Sequence, residues 1–287
     1  MLVCGWSANG DRYKKWDHNP KSTNLPHTGN TCSFQTPAVM GARRDVVFPK
    51  DPNASGYGCS TRRRFSEGCV WLKMKNKIDI NLNVLPTNIR RFVKKEIRLC
   101  NENNISVLMS RTSGIKLGQF EQDGFFDDDD QLLTTACGKS LKKWLPTFVH
   151  ETCHRDQYVE GIPLWNKTVE NASPMFLFHL WLENVIELTP QQKYEYMMHA
   201  LEVELDCEKR TVCKIVDNDL PIHPFDYIQR ANSYVYFYHV VSLRRKWYQV
   251  ESAPYNTPEV WSAMPTTFDN DYSILPKQYL KLYNKYC

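Results

Sequence analysis

The sequence lacks several features that would fix its class at once. None of its ten cysteines, at 4, 32, 59, 69, 100, 137, 153, 207, 213 and 287, forms a C-x-x-C pair, which excludes zinc ribbons and thioredoxin-like redox motifs. No apolar run spans a bilayer: the longest, MFLFHLWL from Met175 to Leu182, falls far short of the roughly 20 residues a membrane helix needs. The opening MLVCGWSANGDRYKKWDHNPK holds no apolar stretch of signal-peptide length. A cytoplasmic protein with reduced thiols is therefore the expectation, and the N-x-[ST] triplets at Asn53, Asn104, Asn166 and Asn171 carry little weight. Charge of one sign is missing too. Thirty-six basic against 32 acidic residues leave +4, too mild to argue for nucleic acid or membrane. The triplets Arg62–Arg64 and Arg244–Lys246 belong to no recognised nucleic-acid motif. There is no internal repeat, and 12 glycines in 287 residues rule out a collagen-like or low-complexity chain.

What is present is ample material for a core: 42% hydrophobic and 13% aromatic residues, with eight tryptophans. Residues 1–80 read as an irregular N-terminal arm lying on the core, with Trp6, Trp16, Phe34 and Val46–Phe48 as packing residues and Asp79–Val84 as a strand. Residues 81–248 read as the core domain, and 249–287 as a proline-bearing tail with a last helix near Lys277–Tyr286. Within the core, Ile89, Phe92, Val93, Ile97 and Cys100 recur at helical spacing over 87–102. ISVLMS (105–110) reads as a buried strand, the alternating IKLGQFEQ (115–122) as a half-exposed one, and QLLTTACG (131–138) as a third. The acidic run Asp127–Asp130 reads as a solvated turn, because a calcium loop would interleave its ligands with glycine and a distal glutamate. A helix opens at Ser140 or Pro146 and runs to about Tyr158; a buried helix covers 175–188. Thr189-Pro190 starts a long helix to about Val216, and 224–248 forms another, rich in tyrosine.

One segment carries most of the chemistry: FVHETCHRDQ, Phe148 to Gln157. His150 and His154, four apart on a helix, project from one face and can share a metal, while Glu151 is placed to contact a metal-bound water as general base. Zinc brings the pKa of such a water to about 7, although the same ligands accept cobalt, manganese or iron. A catalytic zinc needs a third ligand, and the candidates lie in HALEVELDCE on the long helix. Glu202 is the expected ligand, with Asp206 four residues on as the carboxylate that orients a ligating histidine. Glu204 is the runner-up, and His199 a weaker candidate. Cys153 is expected to pack beneath the helix, away from the metal. Tyr234, Tyr236, Tyr238 and His239 are candidate donors to an oxyanion, although a tyrosine-rich helix is more often core.

HETCH followed by E-x-x-x-D on a later helix resembles the gluzincin pattern of zinc metallopeptidases, and the order helix, three strands, HExxH helix, glutamate helix is similar to the compact ImmA/IrrE-type peptidase core. The resemblance covers about residues 87–217. It implies an α+β fold with a zincin-like core, a small mixed sheet packed on the HExxH helix, a Zn2+ cofactor, and Glu202 and Asp206 as ligand and orienting carboxylate. It also implies an edge strand above the zinc that binds a peptide or protein substrate in extended form, for which 115–122 is the candidate. The expected function is zinc-dependent peptide-bond hydrolysis, with neither nucleic acid nor membrane as partner. The alternative is a zincin-like structural or binding protein whose metal is not catalytic and which docks to a larger assembly.

Overall fold

The computed structural model describes residues 76–117, 120–169, 171–248 and 252–287. The expected arm, with its aromatic packing residues, lies outside them except for its last few positions. The described residues form an α+β fold: a four-stranded mixed sheet, a separate hairpin and seven α-helices.

Helix α1 (Thr87–Glu102) buries Ile89, Phe92, Val93, Glu96 and Cys100 on one stripe and leaves its basic residues outside. It leads into β2 (Ser106–Ser110), which pairs in parallel with β1 (Lys77–Ile78) on one side and β6 (Leu132–Ala136) on the other. The two central strands are buried almost throughout, as parallel strands covered on both faces must be. The far edge is β5 (Gly124–Asp127), antiparallel to β6, giving the order β1-β2-β6-β5. Asp128–Asp130 are exposed, and the backbone N–H of Asp130 donates to Asp127 Oδ1 at 2.9 Å, so the acidic run is a turn.

Two expected strands are corrected. In the segment 79–84, Leu82–Val84 is a 3-10 turn, because Asn81 caps it by accepting from the Asn83 N–H at 3.0 Å. The segment 115–122 is not one strand but two, β3 (Ile115–Leu117) and β4 (Phe120–Gln122), paired antiparallel as a separate sheet. Its alternation of apolar and polar residues suits one strand or two, and Gly118 in its middle weakens the first option.

Helix α2 (Leu141–Glu160) starts after Ser140, holds Pro146 at its sixth position at the loss of one hydrogen bond, and ends at Gly161, whose φ of 61° suits glycine. Helix α3 (Pro174–Leu182) is shorter and less buried than expected; only Pro174, Phe178 and Trp181 are buried, and Asn184 in the left-handed region (φ 59°) follows its end. Helix α4 (Pro190–Asp217) opens with a complete capping box between Thr189 and Gln192. Helix α5 (Pro224–Arg244) stops before its expected end at 248: Arg245 turns left-handed (φ 49°), and its guanidinium engages the Trp181 and Ile186 carbonyls and Glu187. Helices α6 (Pro258–Trp261) and α7 (Lys277–Tyr286) complete the chain. No helix among the described residues is long and apolar enough to cross a membrane.

Two hydrophobic cores result. One joins the sheet, α1, α2 and the adjoining ends of α4 and α5; the other joins α3, α4, α5 and the C-terminal segments. Helix α2 is also pinned by a buried ion network. Arg155, 1% exposed, meets Glu96 Oε2 of α1 at 2.6 Å and pairs with Asp156, while Lys214 of α4 meets Asp156 at 2.6 Å and Glu96 at 3.3 Å. Such a network fixes one axial position of α2 against α4, the pair of helices that carries the chemistry.

Candidate metal centre

His150 and His154 occupy successive turns of α2, so their rings share a face, with centroids 4.7 Å apart and planes nearly perpendicular. Their Nε2 atoms lie 3.0 Å from each other. Across from them α4 presents Glu204, whose Oε2 is 3.4 Å from His150 Nε2 and 3.5 Å from His154 Nε2. That oxygen is buried without a hydrogen-bond partner, which in a folded protein calls for an explanation.

The surrounding bonds fix which atoms are free. Gln157, fully buried, donates through Nε2 to the Val203 carbonyl at 2.9 Å and to Asp206 Oδ2 at 2.8 Å. Its Oε1 must then be the atom 2.8 Å from His154 Nδ1, so His154 carries a proton on Nδ1 and turns Nε2 toward His150 and Glu204. His150 turns Nδ1 toward Glu208 Oε1 at 3.4 Å, which favours the same tautomer. Two imidazole nitrogens and a carboxylate oxygen thus converge on one point. Ligands about 2.0–2.1 Å from a tetrahedral zinc stand about 3.3 Å from one another, close to the 3.0, 3.4 and 3.5 Å observed. The donor set fits such an ion.

Electrostatics agree. Burial alone would raise the Glu204 carboxyl, but His154 and His150 beside it hold it well below the usual carboxylate range. Burial would lower both imidazoles, yet Glu208 and Glu204 push His150 well above its ordinary value, and Glu204 raises His154. The carboxylates thus stabilise positive charge at the two rings.

Glu151, the residue between the histidines' turns, is buried, and burial raises its carboxyl against the opposing pull of His150. It borders the edge strand: a Cβ added at Gly124 of β5 would stand 3.3 Å from Glu151 Cγ.

The expected pair Glu202/Asp206 is not the one that meets the histidines. Glu202 is exposed; two positions along a helix turn a side chain by about 200°, which carries Glu204 to the centre and Glu202 away from it. Glu208, four residues beyond Glu204, stands where Asp206 was expected, directly on a histidine. Asp206 is one step removed, acting on His154 through Gln157 and paired with Arg210 at 2.7 Å. The signal that selects Glu204 is in the sequence: it falls on the stripe Met197, Ala200, Leu201, Glu204, Cys207, Glu208, Thr211, all buried. His199 is buried away from the cluster with its Nδ1 unpartnered.

Cys153 is fully buried and accepts a bond from Thr211 Oγ1 at 3.4 Å, a packing position beneath the helix. Cys207 of α4 lies beside His150. His150, His154 and Cys207 have ligand atoms within 4.8 Å of one another and form a group that can hold a metal. The thiol, however, lies 3.5 Å from His150 Nδ1 and donates to the His150 carbonyl at 3.3 Å. Glu204 Oε2, by contrast, faces the two Nε2 atoms.

Of the candidate oxyanion donors, Tyr236 is bonded to Asp269 at 2.5 Å and His239 Nε2 lies 2.8 Å from the Tyr272 carbonyl, so both face the C-terminal segment. Trp165 lies against the other side of the centre, its ring 5.7 Å from that of His154, with Nε1 donating to Asp128 at 3.2 Å. Comparison of the chain with protein-family models, curated proteins and solved structures finds no match.

Proposed function

We propose that the protein is a zinc-dependent metallopeptidase with a zincin-like core, in which His150, His154 and Glu204 hold the metal and Glu151 is the general base. The observation that carries this reading is the convergence of two imidazole Nε2 atoms, 3.0 Å apart, on the buried Glu204 Oε2, 3.4 and 3.5 Å from them. Zinc bound there supplies Lewis acidity toward a carbonyl and makes a nearby water acidic at neutral pH. The chain's own residues do the rest. Glu151 adjoins the first ligand, and burial raises its carboxyl, the direction that suits the uptake of a proton. The side chains of His150 and His154 keep 16% and 11% exposure, so the centre has access from solvent.

The edge strand β5, paired only with β6 in its sheet, runs beside Glu151 and replaces 115–122 as the strand that would hold an extended peptide by main-chain bonds. The substrate class is accordingly a peptide or an unfolded protein segment. Zinc analysis of the purified chain together with cleavage of an unfolded substrate tests the reading: Glu151→Gln keeps zinc and loses hydrolysis by roughly 10²–10⁴-fold, while His150→Ala loses both.

A second reading, a structural metal in a binding protein, draws on the proximity of Cys207 to His150. It requires a thiolate in the metal's ligand set, which a cobalt–thiolate charge-transfer band in the Co2+-loaded chain would reveal and Cys207→Ala would abolish.

A further inference from the structure

The tyrosine-rich helix α5 is more than core. Tyr227, Tyr234 and Tyr238 stand at i, i+7 and i+11, hence on one face, and two of them reach the carboxylates of α4. The Tyr238 hydroxyl donates to Glu204 Oε1 at 3.3 Å, and the Tyr227 hydroxyl donates to Glu208 Oε2 at 2.5 Å. Tyr234 Oη lies 3.3 Å from Tyr238 Oη. A ligating carboxylate only accepts, so Tyr238 must donate to it and must itself accept from Tyr234. The chain of donation runs Tyr234, Tyr238, Glu204. On the other branch it runs from Tyr227 to Glu208, whose second oxygen faces His150 Nδ1 at 3.4 Å.

We propose that α5 is a brace for the metal centre: Tyr238, polarised by Tyr234, occupies Glu204 Oε1 and leaves Oε2 alone to face the two imidazoles, while Tyr227 holds Glu208 and through it the ring of His150. All three are positioning residues. The inference rests on His150, His154 and Glu204 being the metal ligands, and it extends that set by assigning the orientation of two of the ligands to a helix that contributes no ligand itself. Tyr238 is 2% exposed and Tyr227 9% exposed, so both bonds are made away from competing water, where they hold a side chain most firmly. Tyr236, on the same helix but bonded to Asp269, is the internal control for aromatic packing without contact to the centre.

The test is a titration of the metal-free full chain with Co2+, followed by displacement with Zn2+. Tyr238→Phe and Tyr227→Phe are each expected to raise the dissociation constant about 10–100-fold, the usual effect of losing a residue that orients a ligand, and to shift the visible d–d bands of bound Co2+. Tyr234→Phe shifts the same bands and weakens binding less, about tenfold or under, because it removes only the outer donor. Tyr236→Phe leaves both readouts at wild-type values. Should Tyr238→Phe fail to fold, Tyr227→Phe and the half-buried Tyr234→Phe carry the comparison. Wild-type affinity and spectrum in Tyr238→Phe and Tyr227→Phe, beside a wild-type chain that binds one Co2+, would overturn the brace alone. A wild-type chain that takes up no Co2+ overturns the metal ligands and the brace together.

Discussion

Gln157 sets the chemistry of His154: with both amide hydrogens committed to Val203 and Asp206, its oxygen can only accept from His154 Nδ1, 2.8 Å away. The nitrogen turned toward Glu204 is thereby chosen by a residue three positions further along the same helix. Gln157→Leu removes the acceptor and strands the buried His154 Nδ1–H. It is expected to weaken zinc binding by about 10–100-fold and to lower stability by about 1–3 kcal/mol, read by metal titration and urea unfolding of the metal-free chain.

The position of α2 rests on Arg155, whose guanidinium is closed in by Glu96 and Asp156. Removing one partner of a buried pair leaves an uncompensated charge, which typically costs about 3–5 kcal/mol. Glu96→Ala should therefore lower unfolding free energy by several kcal/mol; a change under about 1 kcal/mol would show that Asp156 and Lys214 hold α2 without it.

His199 gives a pH-dependent stability independent of the metal. Burial, aided by Lys167, lowers its pKa to about 4 from the ordinary 6.5. As pH falls below 6.5 the unfolded chain takes up the proton while the folded chain does not, so stability is lost progressively down to about pH 4, approaching about 3 kcal/mol. His199→Leu should flatten that part of the profile in urea unfolding at pH 7, 6 and 5. Parallel profiles for the two chains would contradict the account.

Gly124 lets β5 lie close to α2. A Cβ there would meet the Thr134 carbonyl oxygen and Thr147 Cγ2, both at 2.8 Å, so Gly124→Val must move the strand. Displacement of a substrate-holding element by about 1 Å can cost on the order of 10²-fold in rate. Zinc content is expected to stay at wild-type level while peptide cleavage falls.

Much of this arrangement was legible beforehand, and the exceptions have physical reasons. The bounds of α1, α4 and α7 follow from a clean apolar stripe, a cap-plus-proline start and a closing helix after Pro276. The two histidines and Glu151 follow from spacing on a single helix. Strand β5 was missed because Gly-Phe-Phe-Asp neither alternates nor forms a fully apolar run; all four of its residues are half-buried. Glu202 is expected beside the histidines, and Glu204 stands there instead. HALEVELDCE offers two acidic pairs at a spacing of four, Glu202/Asp206 and Glu204/Glu208, and only the buried stripe tells them apart. Gln157 and the tyrosines of α5 carry no spacing signal toward the histidines, because their contacts are made between helices distant in sequence.

The central claim is that His150, His154 and Glu204 hold one metal ion. Zinc stoichiometry of the purified chain, compared with Glu204→Ala and Glu202→Ala, tests it most directly. One zinc per chain in the wild type and in Glu202→Ala, with zinc lost from Glu204→Ala, is the result expected. Zinc retained by Glu204→Ala and lost from Glu202→Ala, or no bound metal in the wild type, would contradict it.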